Sequence, residues 1–537
     1  MSNTDAQVHS VNNVAVGYRI IHIPTLISAI SDNVSCKICH DEITLVETSV
    51  QGLASTFKFE CSVCVDKRQF YSSPNRNNNV SEINRRIVYA MRCLGQGLTS
   101  IQLFCGLMDL PPPVKQTTYA LIVNRILSAS KLVAKQSMKR AVEDEIKLTS
   151  EPEKREISIS GDGSWETRGH LSRYGIVSVI GAESGKVIDV KVKSSYCRTC
   201  KKWEGPKKGP QYEDWMKKHA PLCTANHQGS AASMECCGLQ DIFNRSERKY
   251  DVKYVEYLGD GDTKSFKAVH DSMPYGPQVD IQKVECVGHV QKRMGTRLRN
   301  LKKKLLGKKL ADGKGIGGAG RLTDSVIDKL QVYYGNAIRG NKGNIEDMRK
   351  SIWAIWYHEV STDSEPLHSM CPSGRESWCG YRRAQAGVEK TYRHPHPIPM
   401  AVMTEIKPIF KDLVATDLLK GVSTQNPNES FNNKVWSICP KNTNCGYKVV
   451  KVAAADAVAT FNEGNISRLQ VLKHLDVTVE KFAETALRQR DILRVKYAEK
   501  WLRESTKEAR RIRRRLMLEE HGKNITKEGT TYAAGAF

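Results

Sequence analysis

Apolar and polar positions alternate in ITLVETSV (43–50) and STFKFE (55–60), the period of two that a half-buried strand requires, and the pair predicts two strands of a small ribbon. From Val80 to about Lys147 the period lengthens to that of helices. INRRIVYAMRCL places apolar residues at helical spacing, Gly95 and Gly97 are stop signals, and Thr99 or Ser100 can cap a following helix, SIQLFCGLMDL. Pro111 to Pro113 break the chain before a longer helix around TTYALIVNRILSASKLVAK. The three helices suit a helix-turn-helix unit and a plain bundle equally well.

After the charged stretch TSEPEKRE (149–156) the period returns to two. ISISGD, YGIVSVIGA and GKVIDVKVKS are β-rich runs separated by Gly-containing turns, and VKYVEYLGD follows beyond an interval from Ser195 to Asp251. Three antiparallel strands in short succession, then a parallel strand beyond a crossover, is how an RNase H-like sheet begins. Further on, LRNLKKKLLGKKL (298–310) reads as a basic amphipathic helix. GKGIGGAG (313–320) lacks the Lys-Ser/Thr of a Walker loop and no strand leads into it, so it predicts a flexible loop and no nucleotide site. From about Val471 to Glu520 the pattern is a long charged helix containing RRIRRR (510–515).

Length turns these segments into domains, because 537 residues far exceed what one hydrophobic core supports. The fold class expected is multidomain α+β. Its parts are a zinc-ribbon-like module (1–75), a helical module resembling helix-turn-helix (76–150), the first part of an α/β core (151–290) with a Cys/His-rich insertion at 197–237, a basic and mostly helical insertion (291–420), the end of the core (421–465) and a charged helical C-terminal segment (466–537). Net charge sharpens the picture. An excess of +24 is most often used to attract a polyanion, with nucleic acid ahead of an anionic membrane surface. No run approaches the ~18 apolar residues of a membrane span, and MSNTDAQVHSVNN lacks the order of a signal peptide, so a soluble intracellular protein with reduced thiols and no membrane partner is expected.

Reduced thiols at CxxC spacing point to metal. Cys36-Lys-Ile-Cys39 and Cys61-Ser-Val-Cys64 form two knuckles, and two knuckles complete a tetrahedral four-cysteine zinc site. Cys197-Arg-Thr-Cys200 with His219 and Cys223 forms a second candidate set, with His227, Cys236 and Cys237 nearby; the plain alternative is an insertion carrying unpaired thiols. His358, His368, Cys371 and Cys379 have suitable ligand types at non-standard spacing, against the alternative of a Trp-rich packed loop.

From Lys292 to Lys309 nine Lys or Arg occur without an acid, namely Lys292, Arg293, Arg297, Arg299, Lys302, Lys303, Lys304, Lys308 and Lys309. Phosphate contact suits them, as does import signalling or a solvated face. Three acids complete the candidate chemistry. Asp162 is expected to end the first strand, Asp260 the fourth with Asp262 two residues on, and Glu429 to lie near the start of a helix. Phosphodiester transfer requires such convergence, since two hard cations about 3.5–4 Å apart are held by carboxylates. The chain has 58 acids, however, and spacing alone does not single out these three.

The motifs SISGDGSW, YLGDGDTKSFKAV, CVGHVQKRMG and NPNESFNN occur here in the order seen in Mutator-like element transposases, and from about Cys36 to about Asn465 the chain resembles an animal-type branch of that superfamily. The resemblance implies an RNase H-like DDE catalytic core interrupted by a mostly helical insertion. The interval of 429 − 260 = 169 residues leaves room for it. By resemblance Asp162, Asp260 and Glu429 are the catalytic carboxylates and bind Mg2+ or Mn2+. Asp262 is the alternative to Asp260 if the strand runs on, although the spacing to SFKAV favours Asp260. Cys286 and His289 match the family's CxxH, with a supporting or DNA-positioning role, or proton transfer by His289. The cysteine-rich insertions depart from plainer members, so details of end recognition do not carry over.

The expectation is a cut-and-paste DNA transposase that recognises terminal inverted repeats in double-stranded DNA through its zinc and helical modules and joins the freed ends to target DNA. Cutting two ends together implies at least a dimer, and DNA as substrate implies the nucleus in a eukaryotic host. A domesticated zinc-containing DNA-binding protein without catalysis is the main competitor. A simple nuclease or an RNA-binding protein explains charge and fold but not CVGH and NPNESFNN together.

Overall fold

A computed structural model of the chain describes residues 17–64, 68–75, 80–167, 172–259, 263–341, 344–388, 391–394, 397–415 and 426–504. The fold is mixed α/β and divides into two units, Met1–Val133 with Glu463–Phe537, and Ala134–Asn462. No helix among the described residues is long and apolar enough to cross a membrane.

The first unit begins with the helix Ile23–Asn33 and an antiparallel sheet of β1 (Ile43–Gln51), β2 (Ala54–Cys61) and β3 (Gln69–Tyr71) in the order β1-β2-β3. The β1–β2 turn passes through Gly52 at φ +61°, a backbone state open to glycine without strain. Asn84 of the helix Glu82–Cys93 clasps this turn, donating to Gln51 O at 2.7 Å and accepting from Leu53 N at 2.9 Å. Helices Leu98–Leu107 and Gln116–Leu148 follow, and the unit boundary falls inside the latter. The later segment enters the same unit through Glu82, whose carboxylate accepts from Thr478 N at 3.1 Å and Thr478 Oγ1 at 3.0 Å. Arg85 beside it is buried and donates to Asp476 O at 3.1 Å. The expected single C-terminal helix is two, Arg468–His474 and Lys481–Glu504, because Asp476 takes a left-handed φ of +53° between them. RRIRRR (510–515) lies outside the described residues.

The second unit is built on β4 (Glu156–Trp165), β5 (Tyr174–Gly181), β6 (Val187–Ser194), β7 (Lys253–Gly259) and β8 (Gln282–Glu285), in the sheet order β6-β5-β4-β7-β8. β5 is antiparallel to β4 and to β6, whereas β4, β7 and β8 run parallel. β5 is buried along its whole length, as a central strand covered on both faces must be. The pairing of β4 to β7 ends at Ser160–Leu258, while its pairing to β5 continues to Trp165–Gly175. Asp162 therefore does not end its strand. It lies inside β4, on the stretch whose β7 side has already been released.

A second core gathers the helices Val287–Lys304, Asp324–Arg339, Ile345–Val360 and Met400–Leu413. Val290, Met294 and Leu298 recur at four-residue spacing on the first and share one buried core with Leu330, Tyr334 and Ile352. The basic helix read through to Leu310 instead stops at Lys304, and the chain passes Gly307 at φ +77°. A left-handed glycine ends a helix because no Cβ penalty opposes the turn.

Candidate catalytic site and metal centres

Hydrogen bonds at three rungs fasten the helix Asn426–Ile438 to β4, the first rung doubled by Asn428 Nδ2 donating to Ser160 O at 3.1 Å. Ser160 Oγ donates to Asn428 Oδ1 at 2.6 Å, Asn432 Nδ2 donates to Asp162 Oδ2 at 2.7 Å, and Trp436 Nε1 donates to Ser164 Oγ at 2.8 Å. The arithmetic of the two elements makes this ladder possible. Four helical residues advance about 6 Å and two strand residues about 6.7 Å, so rungs at i, i+4, i+8 and j, j+2, j+4 stay in register when both run the same way. Glu429 follows the first rung in the opening turn of this helix and is exposed. Asn432 is buried, and its Oδ1 has no hydrogen-bond partner among the described residues. Sequence reasoning that looked for acids passed over Asn428 and Asn432; the signal was their spacing of four within NPNESFNN.

The opposite face of β4 explains why Asp162 stands between glycines. A Cβ on Gly161 would lie 2.5 Å from Tyr257 Cε2 and 3.0 Å from Leu239 Cδ2, and one on Gly163 would lie 2.7 Å from Glu235 Oε2. Leu239 and Glu235 belong to the helix Ala231–Phe243, which reaches β5 just as closely, since a Cβ on Gly238 would lie 2.5 Å from Val177 Cγ2. Glu235 also accepts from Ser265 Oγ at 2.9 Å, which ties this helix to the helix Thr263–Asp271.

Further candidates follow the parallel strands β7 and β8 in the sequence. Asp260 and Asp262 fall between Gly259, the last residue of β7, and Thr263; both lie outside the described residues. Cys286 directly follows β8, is buried, and serves as N-cap of the helix Val287–Lys304, with His289 N donating to Cys286 O at 3.0 Å. In open α/β sheets the carboxyl ends of the strands are where ligands bind.

Three Cys/His sets can each hold a metal ion, with the ligand atoms of each set within 4.8 Å of one another. Tetrahedral Zn–S bonds of about 2.3 Å separate sulfurs by about 3.8 Å. Cys36 and Cys64 stand 3.8 Å apart, and Cys39 and Cys61 3.4 Å. The N–H groups of Cys39 and Ile38 bring the Cys36 thiol down to about 7, favouring the thiolate that ligates. In the second set Cys200 lies 3.1 Å from His219 Nε2 and 3.5 Å from Cys223. Burial raises the Cys197 thiol, but the N–H groups of Cys200 and Thr224 outweigh it and bring it to about 5. His227, Cys236 and Cys237 stay out of this set; His227 bonds Ser233 Oγ at 2.9 Å and Cys236 lies 3.7 Å from Ser265 Oγ.

The third set carries its own support. His368 Nδ1 lies 3.4 Å from Cys379 and 3.6 Å from Cys371, while its Nε2 lies 2.8 Å from His394 Nε2. His394 Nδ1 in turn lies 2.6 Å from Asp363 Oδ1. Were a metal held on Nδ1, the proton of His368 would sit on Nε2 and donate to His394 Nε2, and His394 Nδ1 would donate to Asp363. Every position in this chain has a consistent polarity, the arrangement that orients metal-bound imidazoles. Burial brings both His358 and His368 down to about 4, leaving them neutral and able to ligate at pH 7.

The basic stretch is partly spent within the protein. Arg293 pairs with Glu285 at 2.9 Å, Arg297 with Asp412 at 3.3 Å, Lys302 with Asp324 at 3.0 Å, and Arg299 with Asp328. Lys292, Lys303, Lys304, Lys308 and Lys309 are exposed and form no ion pair among the described residues.

Compared with known proteins, residues 17–379 match the family described as Mutator-like transposase. No curated protein matches the chain.

Proposed function

This chain belongs to the Mutator-like transposase family, and from that premise we propose that it binds the terminal inverted repeats of a DNA element, cuts the DNA at those ends and joins the freed 3′-hydroxyls to a target duplex. The observation that carries this reading is the Asp162–Asn432 rung, which fastens the Glu429 helix along the strand of Asp162. We read the sheet order, with β5 alone reversed, as an RNase H-like core, and Asp162, Asp260 and Glu429 as its DDE carboxylates. Residues 426–433, which carry Glu429, lie beyond the matched segment, so its role rests on the ladder and on the motif NPNESFNN.

Carboxylate-only donors suit a hard divalent pair, and so does the buried Asn432 Oδ1, an acceptor without a donor among the described residues. When bound, Mg2+ or Mn2+ supplies activation of the attacking oxygen and stabilisation of the leaving one. The chain's own residues do the positioning. Asn432 holds Asp162 in one orientation, the flanking rungs fix the helix along the strand, and Glu429 stays open to solvent where DNA can reach it. Cys286 and His289 stand at the same end of the sheet as support. Lys292, Lys303, Lys304, Lys308 and Lys309 are the members of the basic stretch with charge to spend on phosphates.

The zinc sets complete the reading. A four-cysteine zinc site in the ribbon, with the helices after it, serves end recognition, and zinc in the other two sets braces the insertions. Cutting paired ends calls for at least a dimer, and in a eukaryotic host the substrate puts the protein in the nucleus.

The test is Mg2+- or Mn2+-dependent cleavage of DNA carrying the element's own ends, with Asp162→Ala, Asp260→Ala, Asp262→Ala and Glu429→Ala beside wild type. Boundary cleavage lost in the Asp162, Asp260 and Glu429 variants, with DNA binding kept, supports the proposal and decides between Asp260 and Asp262. Tight end binding without cleavage under either metal identifies a domesticated DNA-binding protein instead.

A further inference from the structure

The segment between β6 and the helix Ala231–Phe243 is more than a metal-bearing insertion. From Ser195 to Cys223 it holds seven Lys or Arg and three acids. Only Lys217 has an ion-pair partner among the described residues, Asp214 at 3.6 Å, and both are exposed. Arg198, Lys201, Lys202, Lys207, Lys208 and Lys218 are all exposed and unpaired there. The contrast with the helix Val287–Lys304, where acids neutralise four of the basic side chains, shows that internal ion pairing is not the use of this charge.

These cations are also held on a rigid support. Cys197, Cys200, His219 and Cys223 converge on one point, and Trp215 stacks on the ligand His219 with ring centres 4.7 Å apart. Trp203 packs on Trp215 at 4.6 Å and on Tyr212 at 5.8 Å, and its Nε1 donates to Pro206 O at 3.1 Å, closing the turn between the two lysine pairs. Lys201–Lys202 and Lys207–Lys208 thus flank a turn braced by an aromatic cluster and a metal-binding set.

Its place in the sheet supplies the partner. β6 runs parallel to β4, because both are antiparallel to β5, so the insertion leaves the sheet at the end towards which Asp162 lies. Asp162 pairs with Ser178, and Ser178 with Val190. Ser194 ends β6 about 13 Å further along and about 10 Å to the side of Asp162. On duplex DNA at 3.4 Å per base pair, an offset of about 16 Å corresponds to about five base pairs.

We propose that this insertion is a second DNA-contacting module, gripping the phosphate backbone of the duplex whose scissile bond lies at Asp162. The identity of the polyanion rests on the transposase reading above. The contact is electrostatic and independent of sequence: the lysine pairs release counterions from the backbone a few base pairs from the cut and hold the strand against the sheet end.

The experiment compares the zinc-loaded full chain with a variant carrying Lys201→Gln, Lys202→Gln, Lys207→Gln and Lys208→Gln, whose exposed side chains touch no metal ligand, and with the matching four Lys→Arg changes. Duplex DNA carrying the element end is titrated over a range of salt. The Gln variant is expected to lose about 3 from the slope of log affinity against log salt and about tenfold in affinity near 0.15 M salt, while the Arg variant keeps both. Equal affinity and slope in wild type and Gln variant overturn the module, as does an Arg variant that behaves like the Gln one. A Gln variant that loses single-stranded RNA and keeps duplex DNA overturns the assignment of the partner. Wild type that binds no duplex at all overturns the transposase reading itself.

Discussion

Asn432 holds the Oδ2 of Asp162 at 2.7 Å, a neutral amide orienting a carboxylate 270 residues earlier in the chain. The amide contributes no charge of its own, so its Nδ2 can position Asp162 while leaving the negative charge of the site unchanged. Asn432→Ala is expected to lower single-turnover cleavage about 10–100-fold, the usual cost of removing an outer-shell partner, with end-DNA affinity unchanged. Wild-type cleavage by this variant would show that the other two rungs suffice to hold the helix.

Gly161 is closed to any side chain by Tyr257 and Leu239. Gly161→Ala should destabilise the second unit by roughly 1–3 kcal/mol through overpacking, visible as a lower urea midpoint at constant m value. Gly185→Ala makes a useful comparison, because nothing lies within 4 Å of that Cβ and its cost comes instead from a backbone at φ +64°. A Gly161→Ala midpoint equal to wild type would contradict the close approach on this face of β4.

Three separate ligand sets predict three zinc ions per chain, measurable by metal analysis after extensive dialysis. His394→Ala leaves all four ligands of the third set in place and removes their outer partner. It should keep three ions but weaken one of them about 10–100-fold against a competing chelator, whereas Cys371→Ser should lower the count to two. Undiminished affinity in His394→Ala would mean that the Asp363–His394–His368 chain does not orient the ligand.

Glu82 predicts an acid-sensitive first unit. Burial alone would raise its pKa, but Arg86 and the N–H and hydroxyl of Thr478 outweigh that and hold it below the ordinary carboxylate value. The sign follows from the lowered folded value: the stabilisation is fully present above the unfolded pKa and disappears as pH falls through the folded one. Denaturant titrations at stepped pH should show it fading below about pH 4, and Glu82→Gln should cost about 1–3 kcal/mol at pH 7 and remove that part of the pH dependence. Parallel pH profiles for wild type and variant would refute the assignment.

Four of the five strands of the second unit were legible as β-rich runs between glycine turns, whereas β8, only four residues long, was too short to carry a pattern. Two of the ligand sets were legible because CxxC and HxxxC put their atoms together locally; the third, at non-standard spacing, was legible only by ligand type. Asp162 illustrates what such local reading misses. Glycines on both sides suggest a strand end, yet here they answer to Tyr257, Leu239 and Glu235 from other elements, and β4 runs on to Trp165. The side-chain pattern of the basic helix continues to Leu310, but the helix ends at Lys304 and the chain turns away through the left-handed Gly307. Asn432 and His394 escaped notice for a different reason. Each acts on another functional group through a hydrogen bond, and no periodicity in the sequence records that partner.

The Glu82–Thr478 contact spans 396 residues. During synthesis at about 5–20 residues per second, the carboxylate waits about 20–80 s for the hydroxyl and amide that complete it. By the end of that interval all of Ala134–Asn462 has been made, while the first unit has waited since Val133 for the segment that begins at Glu463. The nascent first unit is thus a receptor for a segment still inside the ribosome. A chain released after Asn462 but before Asp476 would carry a complete second unit and a first one in which buried Arg85 lacks Asp476 and Glu82 lacks Thr478, a difference that quality-control proteases can read.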